Sequence, residues 1–309
     1  MRANRANSER LALLVPGGRG QLGADLATAG TRFGTVRAPG SAELDITDAA
    51  ALDAAIVELV EQARADQASP VVCNAAAYTA VDAAESDVDA AEAVNATGPG
   101  LLAAACARHG VPLLHVSTDY VFPGDADRPY EPSDPTGPRS VYGRTKLAGE
   151  SAVLAGAPRS WVVRTAWVYG ATGGNFVKTM ARLEKDRPEL SVVDDQHGSP
   201  TWSSDLAGGL LELAGAVAGG DGPGQRVLHC TNAEQTTWFG LARAVFVELG
   251  ADPERVKPCT TKDFPRPAPR PAYSVLSGAA WRAAGLTPLR PWRAALTEFL
   301  TRNRDMLAS

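Results

Sequence analysis

The chain has 309 residues, of which 45% are hydrophobic and 21% charged, and its formal net charge is −5. This length and composition are typical of a globular protein with one large or two modest domains. The net charge is mildly negative and the sequence contains no stripe of basic residues, which argues against a nucleic-acid partner. No apolar run is as long as a membrane span, and residues 1–10 lack the apolar core of a signal peptide. We therefore expect a frayed N-terminal tail and a cytoplasmic protein with no membrane partner.

Short apolar runs alternate with helical segments through the first half of the chain. This alternation predicts an α/β fold with a doubly wound parallel sheet. Strands are predicted at 11–15, 33–37, 70–74, 111–116, 161–164 and 226–230. Helices are predicted at 20–29, 49–65, 88–109 and 141–154. The four cysteines lack the spacing of metal ligands, which indicates buried thiols in a reducing compartment.

A glycine-rich segment follows the first predicted strand and opens the first predicted helix. Gly18, Gly20 and Gly23 fit the pattern G-x-G-x-x-G, whereas Gly17, Gly20 and Gly23 fit G-x-x-G-x-x-G. Either register presents bare backbone to a pyrophosphate at a helix N-terminus. The segment therefore predicts a dinucleotide site and leaves the register open.

The second predicted strand ends at Arg37 without the acidic residue that often binds the ribose of NAD. Arg37 is suited to face a 2′-phosphate, so the sequence favours NADPH over NADH, although NADH stays possible. The alternative is that the Arg37 side chain simply points into water.

Tyr142 and Lys146 are four residues apart on a predicted helix and therefore share one face. A nearby ammonium favours phenolate, so we expect it to lower the pKa of the tyrosine from about 10. Such a tyrosine serves as an acid or base near neutral pH. The alternative is a solvated pair on an exposed helix. Upstream, Ser117 and Thr118 point to opposite faces of a strand, so only one of them can face the same ligand.

These motifs together resemble the dTDP-4-dehydrorhamnose reductase family, which belongs to the extended short-chain dehydrogenase/reductases. The matching segments cover roughly residues 11–300, and the Thr-Asp-Tyr-Val-Phe, Trp-Val-Tyr and Asp-Gln-x-Gly-x-Pro-Thr blocks are the most specific. They are 17–23, 44–48, 72–82, 94–97, 117–122, 141–150, 164–169, 175–180, 195–201 and 270–271.

The resemblance implies a Rossmann-type fold with a smaller C-terminal α/β substrate lobe. Residues 1–168 plus about 201–245 would form the NADP-binding domain, and about 169–200 plus 246–309 the sugar-nucleotide-binding lobe. The implied reaction is NADPH-dependent reduction of the 4-keto group of a dTDP-4-keto-6-deoxy-L-hexose. In it Tyr142 donates the proton, Thr118 bonds the same oxygen, and Lys146 holds the nicotinamide ribose.

The resemblance also implies a set of binding residues. Those expected at the cofactor are Gly17, Gly20, Gln21, Leu22, Gly23, Arg37, Asp45, Ile46, Ala75, Ala76, Ala77, Thr79, Tyr142 and Lys146. Those expected at the substrate are Val81, Thr118, Asp119, Tyr120, Trp167, Asn175, Lys178 and Gln196.

Some family members form dimers through a carboxylate-bound magnesium ion. This chain has Ser203 and Ser204 where one such carboxylate would stand, so we expect no metal, and a monomer and a homodimer both stay open. Rival readings are an antibiotic deoxysugar reductase such as a dTDP-dihydrostreptose synthase, and a non-catalytic subunit resembling the regulatory subunit of methionine adenosyltransferase. A dehydratase is disfavoured because Tyr120 stands where its glutamate base is expected.

Overall fold

The computed structural model describes residues 10–308, so most of the predicted N-terminal tail lies outside the described residues. Each predicted strand is present, with its ends shifted by at most two residues. The strands are β1 (Leu11–Leu14), β2 (Gly34–Arg37), β3 (Ser69–Asn74), β4 (Leu113–Thr118), β5 (Ser160–Thr165), β6 (Val168–Tyr169), β7 (Leu190–Val193), β8 (His197–Gly198), β9 (Thr201–Trp202), β10 (Val227–His229), β11 (Thr236–Thr237) and β12 (Val256–Cys259).

The helices occupy the intervals between these strands and the C-terminal end of the chain. They are α1 (Gln21–Gly30), α2 (Ala49–Asp66), α3 (Val81–Ala84), α4 (Val88–Glu92), α5 (Gly98–His109), α6 (Val141–Gly156), α7 (Phe176–Asp186), α8 (Ser203–Ala218), α9 (Trp238–Glu248), α10 (Ala279–Ala283), α11 (Trp292–Arg302) and α12 (Arg304–Ala308). A π-helix spans Ala93–Thr97, and short 3-10 helices span Asp119–Val121, Pro253–Arg255 and Thr261–Asp263.

Six strands form one parallel sheet in the order β10-β5-β4-β3-β1-β2. The chain runs from β1 outward to β2 and then returns to β3 on the other side of β1. This reversal is the topological switch point at which doubly wound sheets bind ligands. The predicted Rossmann-type α/β fold is confirmed.

Each face of the sheet is covered by its own hydrophobic core. On one face, Leu11, Leu13 and Leu114 pack against Leu26 of α1 and Leu210 of α8, together with their neighbours. On the other face, the alternate strand residues pack against α2 and α5. Because both faces of the inner strands are buried, these strands are rich in apolar residues and short apolar runs predict them. The edge strand β2 alternates between half-buried and exposed residues.

A third core lies in the smaller lobe and joins α7, α9 and α11 with β7 and β12, which pair in parallel. Strand β10 pairs within the large sheet and helix α8 packs against that sheet, whereas helix α9 packs in the third core. This packing favours a second domain boundary nearer residue 230 than residue 245; the division into two domains stays a prediction.

The helix predicted at 88–109 differs from the structure, because a π-helix interrupts it at Ala93–Thr97. The side chain of Asn95 in this bulge accepts a hydrogen bond from Tyr78 N and donates one to Thr145 Oγ1 on α6. Its backbone lies so close to α6 that a Cβ at Gly149 would be 2.0 Å from Asn95 O. Single-turn π-bulges are frequent beside functional sites, and this one supports the helix that carries Tyr142.

No helix between residues 10 and 308 is both long and apolar enough to cross a membrane. The same residues contain no group of three or more His, Cys, Asp or Glu side chains that could hold a metal ion.

Candidate active site

A cleft of about 710 Å³ lies at the carboxyl edge of the sheet, beside the switch point between β1 and β3. Its walls come from the segments that follow β1, β3, β4 and β5 and from the first turns of α6. The predicted site residues that line it are Gly17, Gly20, Gln21, Leu22, Gly23, Asp45, Ile46, Ala75, Ala76, Ala77, Thr79, Val81, Thr118, Asp119, Tyr120, Tyr142, Lys146 and Trp167.

The glycine-rich loop forms one end of the cleft. Gly17 has a φ of +79°, and a Cβ added there would lie 2.6 Å from Ala76 N. A Cβ at Gly23 would lie 2.1 Å from Gly17 O, so both positions exclude a side chain. Gly18 instead packs against Ala38 and lies outside the cleft lining. The geometry therefore favours the register of Gly17, Gly20 and Gly23, with the N-terminus of α1 facing the cleft.

The turn after β3 is built from small residues, 75–77, which leave room for a ligand against the backbone. Asn74 shapes this turn: its side-chain oxygen Oδ1 accepts a hydrogen bond from Ala76 N at 3.1 Å. Its amide nitrogen lies 3.0 Å from Nδ1 of the buried His115. A buried polar contact of this kind fixes the strand end, since leaving either group unpaired costs about 1–3 kcal/mol.

At the outer end of the cleft, Asp45 and Ile46 line the wall together with Arg19. The Arg19 guanidinium pairs with Glu43 at 2.8 Å and is 75% exposed, so it is accessible to a ligand. Arg37 lies outside the cleft lining, and its guanidinium pairs with Glu58 on α2. Arg19 therefore lines the cleft, whereas Arg37 does not, and the role of Arg37 at a 2′-phosphate stays a prediction.

Tyr142 stands in the first turn of α6, which begins with Val141. The N-cap residue Ser140 accepts a hydrogen bond from Gly143 N at 3.1 Å, which fixes the start of the helix. The Tyr142 ring is 9% exposed and packs edge-on against Tyr120 with the ring centroids 5.5 Å apart. Capping and packing together leave its hydroxyl facing Thr118.

The pKa of Tyr142 differs from the sequence-based expectation. Burial raises it to about 12, with the Thr118 hydroxyl opposing the rise and the Asp119 carboxylate adding to it. The prediction that Lys146 lowers this pKa is wrong for this arrangement, because the Lys146 Nζ is directed to Val116 O at 2.8 Å. Burial dominates where the cation is engaged elsewhere. Tyr142 is consequently protonated at neutral pH, which is the form of a proton donor.

Lys146 is almost completely buried, at 2% exposure. Burial lowers the pKa of its ammonium to about 8, with the Glu150 carboxylate opposing the decrease. Glu150 lies one turn further along α6 and forms a bidentate pair with Arg164 at 2.9 and 2.7 Å. The lysine is therefore only partly charged at slightly alkaline pH, so its charge is sensitive to what occupies the cleft.

Four hydroxyl and carboxyl groups mark the ends of β4 and β5 within the cleft. The Thr118 hydroxyl donates to Asp119 at 3.0 Å and accepts from Tyr120 N at 3.2 Å. Burial raises the pKa of the Asp119 carboxyl to about 6. The hydroxyls of Ser117 and Thr165 are buried, line the cleft and have no hydrogen-bond partner among residues 10–308. Such groups are costly to leave unpaired, which indicates a polar ligand.

An aromatic pair forms the wall after β5. The rings of Trp167 and Trp238 are stacked, with centroids 3.6 Å apart and planes within 7°, and both line the cleft. Trp167 has a φ of +48°, which a bulky residue rarely adopts and which costs on the order of 1–3 kcal/mol. The surrounding packing must hold this conformation.

Comparison with known proteins gives this geometry a context. The family model described as "RmlD substrate binding domain" matches residues 11–304. A Streptomyces griseus protein named dTDP-4-dehydrorhamnose reductase is 53% identical over 287 residues, which cover 92% of this chain and 91% of the relative. A solved dTDP-4-dehydrorhamnose reductase from Bacillus anthracis, in complex with NADP, has a TM-score of 0.84 and 32% identity and covers 95% of this chain and 99% of its own.

The chain belongs to the dTDP-4-dehydrorhamnose reductase family. The resemblance found in the motifs is confirmed, and with it the prediction of an oxidoreductase. The family also has relatives named for other reactions. One from Streptomyces antibioticus, named a probable dTDP-4,6-dihydroxy-2-methyloxan-3-one 4-ketoreductase, is 49% identical and covers 92% of this chain and 93% of the relative.

Three residues that the resemblance to the reductase family placed at the substrate lie outside the cleft lining. Asn175 caps α7 and donates to Gln21 at 2.9 Å. Lys178 donates to Ala171 O and to the neighbouring Gly173 O, and Gln196 donates to Thr261 at 2.9 Å. These side chains are engaged in local structure, so their role at a substrate stays a prediction.

The proline-rich segment 264–271 contacts α3 beside the cleft. Arg270 pairs with Asp82 at 2.8 Å, and Ala268 N donates to the same carboxylate at 3.2 Å. Asp82 follows Val81, which lines the cleft. The ion pair ties the smaller lobe to the wall of the cleft on the side of Tyr120.

Among the cleft residues that were not predicted from the sequence, Arg19 and Trp238 have the largest side chains. Arg19 stands inside the glycine-rich motif at a variable position, where only the backbone was considered. Trp238 follows Thr237 in a part of the chain without strand–helix alternation, and nothing local places it beside Trp167. An aromatic residue directly after an N-cap was the only available signal for Trp238.

Proposed function

We propose that the protein reduces the 4-keto group of a dTDP-4-keto-6-deoxy-L-hexose with NADPH, giving dTDP-L-rhamnose or a close relative. The observation that carries the proposal is the convergence of Thr118, Tyr142 and Lys146 with the glycine-rich loop in one cleft. A proton donor, a second hydroxyl and a dinucleotide cradle are the groups that carbonyl reduction requires. Membership of the reductase family supports the same reaction.

The cleft fits a nicotinamide dinucleotide. Gly17 and Gly23 leave a space that a Cβ would fill, beside the N-terminus of α1, where a pyrophosphate is stabilised. Residues 75–77 would lie along the dinucleotide, and Arg19 is the arginine at its adenosine end. When bound, NADPH supplies the hydride for the reduction. We expect the 2′-phosphate to lie near Arg19, which favours NADPH over NADH.

Tyr142 acts as the proton donor to the carbonyl oxygen of the sugar. Its raised pKa keeps the hydroxyl protonated before the reaction. Negative charge develops on the carbonyl oxygen during reduction, and the Thr118 hydroxyl provides a second donor at the same position. A donor placed where charge develops stabilises the transition state more than the ground state. The Lys146 ammonium, which is buried and lines the same cleft, binds ribose hydroxyls of the cofactor.

The sugar ring lies between Tyr142 and the aromatic wall of Trp167, with Val81 and Tyr120 at its edge. An indole ring suits the apolar edge of a 6-deoxysugar. The carboxylate of Asp119 is suited to accept hydrogen bonds from the hydroxyl groups of the dTDP-linked sugar. The smaller lobe, which contains the core formed by α7, α9 and α11, would hold the nucleotide part of the substrate. The protein would act in the reducing environment of the cytoplasm.

A relative named for a different ketosugar, found in Streptomyces antibioticus, supports a second candidate of the same class. That candidate is an antibiotic deoxysugar reductase, for example of the dTDP-dihydrostreptose type. The same cleft residues would act in it, and only the shape of the sugar would differ.

The test is oxidation of NADPH, followed by absorbance at 340 nm, with dTDP-4-keto-6-deoxy-L-hexose and with NADH run in parallel. Product analysis by NMR separates the candidates. dTDP-L-rhamnose supports the plain reductase, and a five-membered-ring sugar supports the streptose-type reaction. Absence of oxidation by protein that still binds NADPH would refute the proposal and favour a non-catalytic, regulatory role.

A further inference from the structure

The stacked indole pair in the cleft gives Trp238 a role that the sequence motifs do not assign. We propose that Trp238 is a positioning residue, which holds the Trp167 indole in the cleft wall and thereby sets the affinity for the sugar part of a sugar nucleotide. The inference deepens the proposed function and rests on it in one respect, because the ligand is taken to be a dTDP-linked deoxysugar.

Trp167 needs support from outside its own segment. Its φ of +48° lies in the left-handed region, which disfavours any residue with a bulky side chain. Its carbonyl accepts a backbone hydrogen bond from Thr201 N at 3.2 Å. A disfavoured backbone conformation persists only where surrounding contacts hold it, and the indole of Trp167 makes such contacts.

Trp238 supplies a face-to-face contact of this kind. Its ring lies on the Trp167 ring with centroids 3.6 Å apart, and Phe176 packs on Trp238 at 4.6 Å. Trp238 is itself fixed at the first position of α9, because Thr237 caps the helix by accepting from Gly240 N at 3.0 Å. The Thr237 hydroxyl also donates to Asp194 at 2.6 Å. The support is thus a capped helix end and not a mobile loop.

Gly198 provides the complementary contact on Trp167. A Cβ added to Gly198 would lie 2.3 Å from Cε2 of the indole and 2.5 and 2.6 Å from Cζ2 and Nε1. The backbone of β8 therefore abuts the ring so closely that only glycine fits there. β8 pairs with β11, which ends directly before Trp238, so both supports of the indole belong to one small unit.

The position of the pair within the cleft assigns it to the sugar and not to the cofactor. The glycine-rich loop follows β1 and residues 75–77 follow β3, whereas Trp167 follows β5. β4 lies between β3 and β5 and ends at Thr118. The aromatic pair and the dinucleotide cradle thus lie on opposite sides of the reacting hydroxyls, and an aromatic surface suits the apolar edge of a deoxysugar.

The test compares the affinities of dTDP and dTDP-L-rhamnose, measured by calorimetry, in the wild type, Trp238→Leu and Trp238→Phe. We expect Trp238→Leu to weaken dTDP-L-rhamnose by about tenfold or more, as for loss of a central aromatic contact. Affinities for dTDP and NADPH should stay within about twofold of the wild type. Trp238→Phe keeps a ring and should recover part of the loss. Phe239→Leu, at the next position on α9, is the matched control. It should leave the ratio of the affinities for dTDP-L-rhamnose and dTDP unchanged.

Equal weakening of dTDP and dTDP-L-rhamnose in Trp238→Leu would show a general structural effect and overturn the inference, as would no weakening of either. A wild type that binds both ligands equally tightly overturns it as well. The proposed function is judged separately by turnover of the keto sugar in the wild type. If turnover is absent, the reaction is wrong, while the affinity ratio still decides the role of Trp238.

Discussion

Raising the pH from 7 to 10 should weaken NADPH binding, because it removes the charge of Lys146. Burial lowers the pKa of this ammonium to about 8 in the free protein. The charged form is present below that pKa and is lost as the pH rises through it. The charged fraction is then about 90% at pH 7, about half at pH 8, about 10% at pH 9 and about 1% at pH 10. If the ammonium holds the ribose, the dissociation constant should rise about tenfold per unit above pH 8.

The assay is a direct titration of the protein with NADPH, followed by the fluorescence of the nicotinamide, without any sugar nucleotide. Asp119 and Tyr142 in the same cleft titrate outside this pH range, because the pKa of Asp119 is raised to about 6 and that of Tyr142 to about 12. Lys146→Met, which keeps the length of the side chain and removes the charge, is the control. Its affinity should be low and independent of pH between 7 and 10.

A flat profile in the wild type would refute the role of the Lys146 charge in binding the cofactor. An equal slope in the wild type and in Lys146→Met would assign the pH dependence to another group. Circular dichroism at each pH separates either result from unfolding.

Three further outcomes are expected. Tyr142→Phe should lower kcat by about 10²–10⁴-fold while NADPH still binds, since only the proton donor is removed; retained turnover would exclude Tyr142 as the donor. Arg19→Ala should weaken NADPH binding by about tenfold and leave NADH binding unchanged. Arg37→Ala, which removes another exposed arginine–glutamate pair outside the cleft, should change neither affinity; the reverse result would return the 2′-phosphate to Arg37. Glu150→Gln should destabilise the fold by about 3–5 kcal/mol in urea unfolding, because it leaves the buried Arg164 unpaired; a change below about 1 kcal/mol would show that the pair is dispensable.

The large sheet could be predicted from the sequence because its inner strands are buried on both faces. A strand such as β1, with four buried residues in succession, has no polar positions to obscure it. The short strands β6, β8, β9 and β11 could not be predicted in the same way, because each is two residues long. Pairs this short have no periodicity, and their partners are fixed by tertiary packing.

Within the cleft, the residues predicted best are those whose role depends on the backbone. Gly17 and the turn at 75–77 line the cleft because strand ends and small residues determine where a ligand can approach. Arg37 shows the limit of this reasoning. Its place at the end of β2 was correct, but the direction of its side chain depended on Glu58, which belongs to another element.

The pKa of Tyr142 could not be derived from its spacing to Lys146. The spacing places both side chains on one face of α6, but it does not say where the ammonium finds its hydrogen-bond acceptor. That acceptor, Val116 O, lies 30 positions away in the sequence. The size of the desolvation effect likewise depends on the whole fold around the phenol.

Gly149 in the middle of α6 has a consequence for how this sequence tolerates change. Glycine inside a helix costs about 1 kcal/mol relative to alanine, so the residue is unfavourable for α6 considered alone. In its place even a methyl group would lie 2.0 Å from Asn95 O and would push the helix off the π-bulge. Position 149 lies outside the cleft lining, yet its substitution would displace the helix that carries the phenol and the ammonium. Such a variant would read in an assay as a catalytic defect, although the altered residue touches no ligand.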